Sequence, residues 1–149
     1  MKYLLAALFV VACVFIVQSA RLKNCKGWPS FKRKSVSDCE ETHEFCPFKR
    51  GKNVSFDSSF VAPVDTSDLT FQVWGKVAGT PVKVPFPIDP NDVCEWGVKC
   101  PVKKGQKYDF KVAVFVEKVF PRTRVTVGIE VLANNKTKVA CTTIPVQIT

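Results

Sequence analysis

The 149-residue sequence has one histidine, one methionine and seven glycines, and its 13 acidic residues are outnumbered by 22 basic ones. A single histidine leaves no His–His pair for a catalytic metal. His43 itself lies in the acidic stretch Glu40-Glu41-Thr42-His43-Glu44, where a solvated, turn-bound role is expected. The chain has no Cys-x-x-Cys pair for zinc, no Gly-x-Ser-x-Gly elbow and no phosphate-cradling glycine loop. Enzymatic activity, a metal and a cofactor are therefore not expected. No apolar repeat of period 3.6 runs through the chain and no segment repeats itself, which excludes a helical bundle and a solenoid.

A long membrane span is missing too, because the apolar run from Leu4 to Val17 falls short of the roughly 20 residues that cross a bilayer. Preceded by Lys2 and closed by Gln18-Ser19-Ala20, the run has the pattern of a signal peptide over residues 1–20, leaving a domain over 21–149. Cys13 leaves with the signal, and the remaining chain of about 129 residues suits one domain. Export brings an oxidising compartment, so the six remaining cysteines are expected as three disulfides. Spacing alone leaves the connectivity open. One solution closes tight loops between Cys39 and Cys46 and between Cys94 and Cys100, and joins Cys25 to Cys141. The sequons Asn53-Val54-Ser55 and Asn135-Lys136-Thr137 make Asn53 and Asn135 N-glycosylation acceptors in an exported chain.

The net charge of +9 suits contact with anionic lipid head groups, glycosaminoglycans or microbial surfaces, and an exported protein is not expected to meet nucleic acid. Lys32-Arg33-Lys34, Lys49-Arg50 and Lys103-Lys104 are the basic clusters. The plainer reading of them is a solvated surface that keeps the protein soluble.

Period two dominates the chain. Phe110, Val112, Val114 and Val116 alternate with Asp109, Lys111, Ala113, Phe115 and Glu117 in a strand beginning at Tyr108, and Val125, Val127, Ile129 and Val131 alternate with Thr126, Gly128 and Glu130 in the next. The pair Asn134-Asn135 turns the chain into a strand near Lys138 to Thr142, and Ile144 to Ile148 follows as another. Val54 to Val61 and Leu69 to Val77 are two more. The stretch Pro81 to Pro90 cannot form a central strand, because proline donates no ladder hydrogen bond, so an edge segment is expected. The fold class that follows is all-β: an immunoglobulin-like antiparallel sandwich of two sheets, without the Cys-Trp-Cys spacing of antibody domains. Read from periodicity alone, both valine-rich faces form an ordinary packed core.

Four separated blocks are more specific. They are Cys46 to Gly51 leading into a strand; Val84-Pro85-Phe86-Pro87-Ile88; Cys94 with Gly97-Val98-Lys99-Cys100-Pro101; and Cys141 to Ile148 around Ile144-Pro145-Val146. Together they resemble the ML (lipid-recognition) domain family, nearest to its sterol carriers of the Niemann-Pick type C2 kind and to arthropod relatives such as the group 2 mite allergens. The resemblance implies splayed sheets with an interior apolar cavity and the pairs Cys25–Cys141, Cys39–Cys46 and Cys94–Cys100. It implies that Phe86, Val116 and Phe120 stand at the cavity mouth, and with it Val84, Val112, Val114, Val125, Val127 and Ile129 become ligand-binding positions. Phe120 replaces a tyrosine of the sterol carriers, which makes the mouth less polar. The function implied is a monomeric, secreted or lysosomal carrier that binds a sterol, fatty acid or other lipid. Such a carrier delivers its ligand to an anionic membrane surface or a lipid-accepting membrane protein. The alternative is an innate-immune protein that presents microbial glycolipid to a receptor.

Overall fold

The alternating segments become strands, and short pairings at the N-terminal side complete two sheets. The structure is a computed structural model that describes residues 22–40 and 42–149; the expected signal segment 1–20 lies outside them. In chain order the strands are β1 (Lys23–Asn24), β2 (Arg33–Val36), β3 (Cys46–Phe48), β4 (Asn53–Val61), β5 (Leu69–Val77), β6 (Val84–Phe86), β7 (Lys107–Phe115), β8 (Arg124–Ala133) and β9 (Thr137–Ile148). The larger sheet runs β1-β9-β8-β5-β6 with β3 also on β9, and the smaller runs β2-β4-β7. Half of the described residues are strand, as expected for an all-β sandwich.

Three details depart from the sequence expectation. β1, β2 and β3 are strands that period two does not announce, and β3 runs parallel to β9. The segments expected separately around Lys138 and Ile144 form one strand, β9, which passes through Pro145. Proline is tolerated there because β1 pairs with Thr142 and Thr143 while β3 begins pairing at Val146, so Pro145 has no neighbour on that edge. The Pro-rich segment behaves as expected: among the described residues β6 is an edge strand that pairs only with β5.

The hairpin between β8 and β9 turns on Asn134 and Asn135, whose φ values of 54° and 58° match the type I′ turn that suits the twist of the strands. Each cysteine among the described residues is in a disulfide: Cys25–Cys141, Cys39–Cys46 and Cys94–Cys100, with Cα separations of 5.4, 5.0 and 5.7 Å. The short β1 is held further by Lys34, whose ammonium donates to Asn24 Oδ1 at 2.8 Å and to the Leu22 carbonyl at 3.3 Å. Burial lowers its pKa, since the charged form loses solvent.

The space between the sheets is not uniform. At one end Phe110 packs against Phe31, Phe56, Phe60 and Phe71, with ring centroids 5.1 to 5.9 Å apart. That end is solid, in aromatic contacts of ordinary tilted geometry. Phe56 also borders open space on its other side. It forms the floor between a packed half and a hollow one.

Candidate functional site: an apolar cavity between the sheets

The hollow half is a cavity of about 280 Å³, close to the roughly 300 Å³ at which ordinary small-ligand pockets begin. The larger sheet supplies Val73 and Gly75 from β5, Val125, Val127 and Ile129 from β8, and Ile144 from β9. Facing them are Val36 of β2, Val54 and Phe56 of β4, and Val114 of β7. On β4 and β8 alternation explains the choice, since lining positions two apart share one face, while β5 and β6 also border the cavity with consecutive residues, 73–75 and 84–86. Apart from Thr123, Trp74 and Gly75, every lining residue has a hydrocarbon side chain, and none carries a charge. Such walls offer area for apolar burial and little for hydrogen bonding.

The mouth lies between β6 and the connection from β7 to β8. Phe86 and Phe120 meet across it edge to face, their ring centroids 5.4 Å apart. Val84 at 57% and Val77 at 40% exposure form the rim on the β6 side, while Val116 on the other bank is buried. Main-chain bonds fix Val116 in place: Gly51 N donates to its carbonyl at 2.6 Å, and its own N donates to the Lys52 carbonyl at 2.9 Å. The Arg50 guanidinium adds bonds to the carbonyls of Lys118 and Phe120 at 3.2 and 3.3 Å. The basic pair Lys49-Arg50 is thus partly a fastener of the mouth as well as a surface cluster.

Of the positions expected to line a cavity, Phe86, Val116, Phe120, Val84, Val114, Val125, Val127 and Ile129 come together around it. Val112 does not. It is fully buried beside Phe56 in the register of β4 and β7, one step deeper than Val114, where the sheets have already closed on the aromatic cluster. Sequence reading missed Gly75, Val73, Val36, Val54 and Ile144. Gly75 carried a usable signal, because a glycine inside a strand marks a place where another group comes close. A Cβ built on it would meet no atom within 4 Å.

The remaining candidates sit elsewhere. His43 accepts a hydrogen bond from the Glu40 main chain at 2.9 Å, a local turn contact. No group of three or more His, Cys, Asp or Glu among the described residues is placed to hold a metal. Asn53 and Asn135 are both exposed, at the start of β4 and in the β8–β9 turn.

A two-sheet sandwich that keeps a hydrocarbon-lined cavity open at one edge is the architecture of a binding protein for an apolar ligand. The sequence model of the ML domain matches residues 19–148, and the chain belongs to that family. It is 35% identical to the mite group 2 allergen Gly d 2.02 of Glycyphagus domesticus, over 77% of this chain and 87% of the allergen. To the NPC intracellular cholesterol transporter 2 of Bos taurus it is 27% identical over 99% of both chains. A crystal structure of a Niemann-Pick type C2 protein from the Japanese carpenter ant superposes with a TM-score of 0.78 at 28% identity. It covers 87% of this chain and 99% of the ant protein.

Proposed function

We propose that this protein binds a sterol or fatty-acid-like lipid in the cavity, mouth at Phe86, Val116 and Phe120, and transfers it between membranes outside the cytosol. The observation that carries the reading is a cavity walled almost wholly by hydrocarbon in a chain of the ML family. Withdrawing about 400 Å² of ligand apolar surface from water at about 25 cal/mol per Å² is worth on the order of 10 kcal/mol gross. Ordering costs reduce this to the micromolar-to-nanomolar range. Phe120 brings no hydroxyl to the mouth, so the pocket accepts chains without a polar head group as readily as sterols. Cleavage beyond Ala20, glycans on Asn53 and Asn135, and a monomeric state belong to the same reading.

Native mass spectrometry of protein purified from a secreting host, with titrations of dehydroergosterol and cis-parinaric acid, tests it. Bound lipid or saturable uptake of a probe is expected. Protein that carries no lipid and takes up neither probe overturns the reading, and uptake restricted to a multiply acylated glycolipid would move the protein to the presenting class.

Delivery calls for a surface that meets a bilayer beside the mouth. Val82, Val84 and Val119 are 62, 57 and 86% exposed there, flanked by the exposed cations Lys83, Lys118 and Arg122. Apolar tips among positive charges suit an anionic interface, each cation contributing about 1 kcal/mol near such a surface. Changing Val119→Asp and Arg122→Ser together is expected to weaken co-sedimentation with phosphatidylserine vesicles by at least about tenfold. Binding of the double variant at parent strength would remove the assigned surface.

A further inference from the structure

The two banks of the mouth are held by different means. The connection after β7 is fastened by main-chain hydrogen bonds from Gly51 and Val116 and by the Arg50 guanidinium. On the other bank β6 pairs with β5 over only three residues, and the central one, Pro85, has no N–H to give. The segment before it, 78–83, is exposed throughout. A side chain of β5 ties this bank to the rest of the sheet. Strand alternation puts the Trp74 ring on the outer face, opposite Pro85 on one side and Gly128 on the other.

Gly128 has no side chain, and a Cβ there would fall inside the indole, so the ring lies flat on the β8 backbone. The indole N–H donates to Glu130 Oε1 at 2.9 Å, which anchors the ring to β8. From the β6 side the Lys83 ammonium sits 4.2 Å from the ring centroid. A single ring on β5 thus links β8, through Gly128 and Glu130, to Lys83 just before β6, and the strand that follows carries Val84 and Phe86 on its inner side.

We infer that Trp74 is a positioning residue for ligand exchange: clasped between Glu130 and Lys83, it holds β6 shut, and the mouth opens by β6 lifting from β5. The bank at Val116 stays in place during that motion. The inference rests on the lipid-binding reading of the cavity. Since Lys83 grips the ring without lining the cavity, loosening the clasp at that residue speeds uptake and release together and leaves affinity nearly unchanged.

The test compares the parent with Lys83→Met, Trp74→Leu and, as a control on the outer face of the smaller sheet, Lys111→Met. Stopped-flow mixing with dehydroergosterol is expected to show both rate constants rising about three- to fivefold for Lys83→Met, the worth of an exposed cation–π contact, with Kd within about twofold, and the rate constants rising further for Trp74→Leu. Amide hydrogen exchange supplies a readout independent of ligand: Val84 and Phe86 exchange faster in Lys83→Met while Val116 does not change. Unchanged rates in both variants, or acceleration at Val116 equal to that at Phe86, would overturn the clasp. A parent that takes up no probe would instead defeat the lipid-binding reading, and the exchange pattern would still decide whether Trp74 holds β6.

Discussion

Gly75→Leu is expected to lower uptake of dehydroergosterol and cis-parinaric acid about ten- to a hundredfold while the protein unfolds at the parent temperature or slightly above it. Gly75 lies on the inner face of β5 between Val127 and Val84, and its missing side chain leaves open space where a leucine would project into the cavity. With a ligand present, the added atoms create overpacking that costs about 1 to 3 kcal/mol, which sets the expected loss. In the unliganded protein the Cβ meets no atom within 4 Å and the rest of the side chain faces hydrocarbon walls. Replacing glycine in a strand also removes freedom from the unfolded chain, which favours the folded state by up to about 1 kcal/mol. Fluorescence titration and calorimetry read the two effects separately. Uptake at parent affinity would show that the cavity is not where the probe binds.

Removing the bridge between Cys25 and Cys141 should have the largest effect on stability. The two residues are 116 positions apart, and the bridge closes nearly the whole domain into one loop. In the loop-entropy account such a loop is worth about 5 kcal/mol, against about 2 for the six-residue separation of Cys94 and Cys100. The double change Cys25→Ala with Cys141→Ala is thus expected to lower Tm by more than about 10 °C. Little else compensates, because β1 pairs with β9 through only Lys23 and Asn24. A fall no greater than that from removing the Cys94–Cys100 bridge would show that residual structure in the unfolded chain cancels the entropy term.

The sheet strands were legible wherever one face is apolar. β4, β5, β7 and β8 follow period two closely, and Asn134-Asn135 announced its hairpin. β1, β2 and β3 were not legible, since strands of two to four residues are chosen by the edge they join and not by their own pattern. Pro145 concealed the continuity of β9 for a similar reason: only the partners on its two sides decide whether proline is tolerated.

The cavity is the sharper lesson. Val112 and Val114 occupy one face of one strand, yet the first is packed and the second lines open space. Sequence specifies which face turns inward, whereas the separation of the sheets at each level depends on side chains of both. Resemblance to a known family supplied what periodicity could not, namely that the sheets splay at all. Gly75 and Gly128 were the local signals of that splay and of its outer clasp, the one leaving room inside and the other receiving the ring of Trp74 outside.

A sandwich that is solid at one end and hollow at the other also has an unusual response to compression. The hollow half disappears when the chain unfolds, and any of its volume that excludes water is lost with it, so hydrostatic pressure favours the unfolded state. Unfolding volumes of proteins run from about −20 to −100 mL/mol, and the part of the hollow half that excludes water adds to this one. Lipid filling the hollow half would remove most of that difference, making the loaded protein the less compressible form and the one that survives pressure longest.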